Sequence, residues 1–392
     1  MYYVALLFSL QQKQSTLHMK FVISSSVLSS RLMTIGRVIV QKNTLPILDC
    51  FCFDIKGQTL TITASDNDST LTATAELNEY DCDVKFAVNA KTLQDAIKEI
   101  PDQPLECYLN TDTYELTIEY QNGQYKLMGQ DASDYPTPVT EEDSQIDFTV
   151  NSARLLSGIT RCMVAAANDA LRPQMNTVCF DVQQNSLSLV STNGNQLALT
   201  RFPLPSTEQS GVYLLSTRPA NLLKGILSKA EGEAHVSLGS RTIAVNVDDY
   251  TFTSRLVEGR FPNYRSVIPQ NNPNIVRVNR LALISALRRV LVFANAQAVL
   301  VKFRLEGNTM NISSQDIDFG KSAEENMLCE YTGMPMRIAF KGSMLLDLIN
   351  NIDGNDIAME LSDPSRAGLI VPVEQQAEET VIMLTMPSVF ND

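Results

Sequence analysis

Three pairs of aspartates carry the most chemically suggestive spacing in this 392-residue chain: Asp66/Asp68, Asp316/Asp318 and Asp353/Asp356. Two carboxylates so close in sequence can hold Mg²⁺ and support phosphoester chemistry. A divalent-metal phosphoesterase built on Asp66 and Asp68 is therefore one reading. Each pair, however, sits among Asn, Ser or Gly, where aspartate side chains turn the backbone without doing chemistry. There are only two histidines, His18 and His235, and the 7 cysteines are scattered with no Cys-x-x-Cys spacing. That pattern fits buried, reduced thiols of a cytosolic protein better than a metal or disulfide framework. Phosphate-binding and dinucleotide glycine loops, zinc-protease helices and serine nucleophile elbows are all missing from the sequence. These residues point away from an enzyme and imply no cofactor.

The basic residues are more informative. With 44 acidic against 31 basic residues the formal charge is −13, which excludes a broad basic surface of the kind that grips nucleic acid tightly. Within that acidic background, Arg31, Arg37, Arg154, Arg161, Arg288 and Arg289 fall on three segments of helical periodicity. Lys91, Lys98, Arg218, Lys224, Lys229 and Lys341 fall on or beside three others. A solvated helix face explains any one segment. Recurrence across six favours a shared, sparsely cationic surface.

The segments themselves repeat. From Phe21, apolar residues recur at Leu28, Leu32 and Ile35. The same offsets recur from Phe148 (Leu155, Ile159, Cys162) and from Val276 (Leu283, Leu287, Val290), with starts 127 and 128 residues apart. Each third divides again: Phe86–Val88, Tyr213–Leu215 and Ile338–Phe340 are short strands 65, 65 and 62 residues further on. Helical positions Leu93, Ala96 and Ile100, then Ala220, Leu223 and Leu227, then Leu345, Leu348 and Ile352 follow them. The helix after Phe86–Val88 is expected over Lys91–Ile100, stopped by Pro101. The expected architecture is α+β, three tandem domains of two strand–helix–strands half-units each.

Asp134-Tyr135-Pro136-Thr137-Pro138 and Arg260-Phe261-Pro262-Asn263-Tyr264 read as extended linkers. They bound domains at 19–144, 145–271 and 272–392. Met1–Leu10 is apolar but too short to span a membrane. Residues 1–18 are expected to form a tail outside the fold, ahead of a start at Met19.

At Thr44–Leu48 (TLPIL), Thr192–Leu197 and above all Phe252–Tyr264 (FTSRLVEGRFPNY), the chain resembles the bacterial DNA polymerase III beta subunits, the sliding clamps. The likeness runs in order over residues 19–390 and includes the terminal Met386-Pro387. It implies a head-to-tail homodimeric ring of six similar domains. Helices would line the hole, and the ring would encircle duplex DNA without reading its sequence, in the cytoplasm. A repeat scaffold with no DNA in its hole is the third reading.

The resemblance also implies three sets of site residues. Lys42, Arg172 and Gln174 match loops that touch DNA, joined by the helix cations Arg31, Arg154, Arg161, Arg288 and Lys224. A peptide cleft between the second and third domains corresponds to Met175, Thr192, Gly194, Leu197, Pro262, Val267, Met344, Leu384, Met386 and Pro387. It would take short extended peptides, bearing a Gln and two large apolar residues, from the polymerase III alpha subunit, the clamp loader, other polymerases and repair proteins. The dimer contact corresponds to Val292, Phe293, Glu324 and Glu325 meeting Tyr125 of the other subunit.

Overall fold

The computed structural model describes residues 18–43, 45–137, 145–169, 171–205, 207, 209–376 and 378–390. Expectations that fall on residues 1–17, Thr44 and Pro138 lie outside them. Six α-helices appear among the described residues: α1 (Ser25–Ile35), α2 (Ala90–Ile97), α3 (Ser152–Met163), α4 (Thr217–Leu227), α5 (Arg280–Leu291) and α6 (Gly342–Asn350). The repeated apolar offsets are their buried sides: Leu28, Leu32 and Ile35 in α1, Leu155, Ile159 and Cys162 in α3, Leu283, Leu287 and Val290 in α5. Asn89, Asn151 and Asn279 each precede a helix. Their side-chain oxygens accept from the amides of Thr92 (3.0 Å), Arg154 (3.2 Å) and Ala282 (3.0 Å), satisfying donors the helix cannot.

Two expectations shift. Helix α2 ends at Ile97 rather than Ile100, and the chain runs on in a turn, with the Ile100 amide donating to Ile97 O (3.1 Å), before Pro101. Burial there passes from Ala96 to Ile97, while Ile100 is buried beyond the helix end. The first strand, His18–Ser24, begins one residue before Met19, with His18 opposite Asn110.

The half-units interlock rather than stand alone. In the first domain the strand leading into α1 pairs with Pro104–Asn110 of the second half (Phe21 opposite Cys107). The strand leading into α2, Val84–Asn89, pairs instead with Cys50–Lys56 of the first half. Phe53 and Phe86 thereby stack at 5.1 Å. The third domain repeats the exchange: Asn274–Asn279 pairs with Asp356–Leu361, and Met336–Lys341 with Leu300–Glu306.

Pairing also crosses the thirds of the sequence. Of the described residues, one compact unit comprises those up to Thr137 with Gly225–Arg255, and the other those within 145–224 with those from Leu256 onward. In the first unit Tyr250–Arg255 pairs with Ser69–Glu76, placing Phe252 opposite Leu71. In the second, Gln196–Pro203 pairs with Thr380–Thr385, so that Leu197 faces Leu384. Two of the buried clusters among the described residues support these sheets in the second unit. One surrounds Leu283, Leu287, Phe303, Phe340 and Leu345; the other gathers Leu197, Leu199, Phe261, Tyr264, Leu369 and Leu384.

The aspartate pairs are spent on structure. Asp66 Oδ1 accepts from the amides of Asp68 (3.1 Å) and Ser69 (2.7 Å), closing the turn. Asp353 pairs with Arg161, and Asp316 and Asp318 both accept from Asn295 Nδ2. The cysteines are unpaired, and six are buried; Cys82 is exposed, a departure from the all-buried expectation. Burial pushes the Cys52 thiol up to about 11 and Cys162 to about 12, and raises Cys50, Cys107, Cys179 and Cys329 as well. Thiolate is the reactive form, so a raised pKa slows modification at neutral pH. One thiol per native chain, Cys82, is expected to react rapidly with Ellman's reagent, and all 7 after denaturation. A second fast thiol in the native protein would contradict that burial.

Candidate partner and DNA surfaces

The residues assigned to a peptide cleft lie in the second compact unit, and most are brought to one place by the sheet and its turns. Thr192 Oγ1 donates to Gln196 O (2.6 Å) and accepts from Gly194 N (3.1 Å), tightening the turn between two strands. Gly194 has φ +93°, a conformation that disfavours any residue with a Cβ. A Cβ there would stand 3.7 Å from Met175 Cε, so Met175 lies over this turn. The Met386 amide donates to Asn195 O (2.8 Å), drawing the chain's last strand to the same turn. Gln196 Nε2 donates to Met344 O (2.8 Å), bringing the start of α6 alongside.

Within that group the structure separates floor from surface. Leu197, Leu384 and Thr192, all matched to the cleft, are buried and lie beneath its surface. Leu197 (1% exposed) and Leu384 face each other on neighbouring strands and pack under the surface with Phe261 and Tyr264. Gln196 is buried too. Val267 (54% exposed), Pro262, Met386 (39% exposed) and the partly exposed Met175, Met344 and Pro387 are what a ligand can touch. Large apolar groups are thus left in water over an apolar floor.

The cations divide in the same way. Lys42, Arg172 and Arg288 are exposed, Arg154 is about half exposed, and Gln174 folds against the backbone at Gly259. Lys224 is half-buried, and that burial lowers its pKa. Two predicted DNA contacts are withdrawn. Arg31 donates to Thr74 O (3.1 Å) and Tyr250 Oη (3.0 Å) and pairs with Asp249, locking α1 to the Tyr250 strand. Arg161 is 5% exposed and ion-paired to Asp353 and Glu379. Burial alone would lower its pKa, but hydrogen bonds and charge from the two carboxylates outweigh it and hold the guanidinium above its usual value.

Arg161 therefore ties α3 of the second domain to the third. Removing one partner of a buried ion pair strands the other charge, here Glu379, at a cost of about 3 kcal/mol or more. Arg161→Ala is expected to lower the unfolding free energy by roughly that amount in urea titration. A loss under about 1 kcal/mol would contradict a buried pair.

At the end of α5, Val292 and Phe293 (39% exposed) stand in water. Asn295 ties this end to the turn Asp316–Lys321, whose Ile317 and Phe319 are also exposed. The sequence reading missed both, although two large apolar residues in an aspartate–glycine turn are themselves a signal. The neighbouring strand Lys321–Leu328 ends its sheet and pairs, among the described residues, only with Thr309–Asp316. Glu325, expected to face the other subunit, is paired with Arg289 of its own chain, and Glu324 accepts from Asn311 Nδ2 (2.7 Å). On the first unit, Tyr125 packs on Tyr120 at 5.1 Å.

Three interlocked α+β domains in tandem, carrying an apolar surface that joins the second to the third, define a DNA-clamp type of protein. The N-terminal, central and C-terminal domain families of the DNA polymerase III beta subunit match residues 19–139, 149–263 and 265–386. The chain belongs to the DNA polymerase III beta subunit family and is a DNA sliding clamp. It is 27% identical to the beta sliding clamp of Pseudomonas putida over 366 residues, 93% of this chain and 99% of that one. To that of Escherichia coli K12 it is 25% identical over 369 residues, 94% and 99% of the two chains. A sliding clamp from Pseudomonas aeruginosa, solved with griselimycin bound, superposes with a TM-score of 0.89 at 25% identity, covering 95% of this chain and all of that one. The Thermotoga maritima beta subunit gives 0.87 at 26% identity, with 95% of this chain covered.

Proposed function

We propose that two copies of this chain close head to tail into a ring around duplex DNA and tether the replicative polymerase to it. The observation that carries the reading is the three-domain match in unbroken order along the chain. A ring holds DNA by topology, so it needs only weak phosphate attraction from a few cations such as Lys42, Arg172, Arg154 and Arg288. An acidic body with a sparsely basic inner face suits sliding better than gripping. The phosphoesterase reading falls away, since Asp66 is engaged by its own turn. The protein does no chemistry of its own in this account and works in the cytoplasm. No helix among the described residues is long and apolar enough to cross a membrane.

The ring closes where Val292, Phe293, Ile317 and Phe319 of one subunit meet the Tyr125 strand of the other. The open edge of Lys321–Leu328 supports that contact, because an unpaired strand edge accepts another strand. With Glu325 held by Arg289, apolar burial and strand pairing supply the contact rather than ion pairs across it.

Partners bind through short peptides at Met175, Pro262, Val267, Met344, Met386 and Pro387. They include the polymerase III alpha subunit, the clamp loader, other polymerases and repair proteins. Methionine side chains adapt to several ligands, which suits one surface serving many of them. The test is retention on nicked circular DNA after loading. Protein held by topology stays through a high-salt wash, whereas protein held by phosphate contacts leaves with the steep salt dependence of counterion release.

A further inference from the structure

Beneath the exposed Pro262 and Val267 lies a buried carboxylate that no part of the clamp reading uses. Asp181 sits in the strand Thr177–Gln183, where its neighbours Phe180 and Val182 are fully buried, and it is itself 2% exposed. Its oxygens accept from Tyr264 Oη (2.6 Å), an Arg265 Nη (2.6 Å) and Gln183 Nε2 (2.6 Å). Two of those donors belong to the segment that joins the second and third domains. The Arg265 guanidinium also lies over the Tyr264 ring at 5.5 Å, and the Tyr264 ring meets Phe261 edge-on at 6.3 Å.

Tyr264 is in turn the backbone centre of the exposed wall. Its amide donates to Pro262 O (2.7 Å), and its carbonyl accepts from Val267 N (3.3 Å). A buried charge adds little net stability compared with a well-packed apolar residue, so stability alone does not account for its place here. We propose that Asp181 is a positioning residue of the peptide surface: through Tyr264 and Arg265 it sets where Pro262 and Val267 stand. This inference rests on the peptide-binding reading of that surface. Asp181 touches no peptide; it acts through Tyr264.

The test compares full-length wild type with Tyr264→Phe, Asp181→Asn and the double variant. Peptide affinity is read by fluorescence anisotropy with a labelled short peptide that bears a Gln and two large apolar residues. Methyl NMR reports Val267 directly. Each single variant is expected to weaken binding about tenfold, and the double variant no more than the weaker single, because the two residues act as one unit. The Val267 methyls should shift while those of Leu345 and Leu348, in the other core, stay in place. Tyr264→Phe removes only a hydroxyl and keeps the test alive should Asp181→Asn fail to fold.

Wild-type affinity in Tyr264→Phe, or unmoved Val267 methyls, would overturn the proposal. So would a general shift of core methyls, which would mark Asp181 as a folding residue only. If the wild type itself binds no peptide, the peptide reading fails, and the Val267 methyls still decide whether Asp181 positions the wall.

Discussion

Replacing Phe293 with alanine is expected to turn a dimeric protein into folded monomers at low micromolar concentration. Phe293 follows α5, whose inward positions Leu283, Leu287 and Val290 fill the core, and it remains 39% exposed in the single chain. An aromatic buried at the centre of an interface contributes about 2 kcal/mol or more. A closed head-to-tail ring contains the contact twice, so the loss doubles to about 4 kcal/mol, or roughly three orders of magnitude in the dimer dissociation constant. Light scattering should give the mass of one 43.4 kDa chain for the variant and twice that for the wild type. A variant that stays dimeric through dilution would move the interface elsewhere.

Deleting Met386 through Asp392 is expected to abolish peptide binding and leave the dimer and its retention on DNA unchanged. The deletion removes the Met386 amide bonded to Asn195 O, the Ser388 amide bonded to Ala339 O (2.8 Å) and the Phe390 ring beside Lys302 (5.3 Å). It takes away two of the exposed apolar walls while the floor of Leu197, Leu384, Phe261 and Tyr264 stays. A contact of this size gives affinity on the order of micromolar, with tethering to the ring supplying the rest. Removing Met386 and Pro387 should push binding below detection in calorimetry. Unchanged peptide affinity would place the partner surface somewhere else on the chain.

Periodicity carried the helices well. The offsets from Phe21, Phe148 and Val276 land on buried positions because a helix must turn its apolar stripe to the core wherever it packs. Topology was not legible in the same way. Nothing in the spacing of Phe21 or Phe86 says that each strand pairs with the opposite half, since an apolar alternating strand suits either neighbour. The compact units were equally hidden: Phe252 opposite Leu71 and Leu197 opposite Leu384 are long-range pairings that cut across the sequence repeat.

At the sites, sequence position and chemistry diverged where charge was involved. Arg31 and Arg161 sit on repeated helices like Arg154 and Arg288, but Asp249, Asp353 and Glu379 come from distant segments and neutralise the first two. Leu197 and Val267 are both apolar and both matched the family cleft. Only the structure distinguishes a strand residue facing Leu384 from a turn residue left in water. Asp181 looked like any polar residue in a strand until Tyr264 and Arg265 were found on it.

The most direct measurement of the central claim loads the protein onto nicked circular DNA, removes free protein, and then linearises half of the sample with a restriction enzyme. Protein is expected to stay on the circles and to be lost from the linear molecules as it slides off the ends. Equal retention on both would show that contacts, not topology, hold the DNA, and would contradict a closed sliding ring.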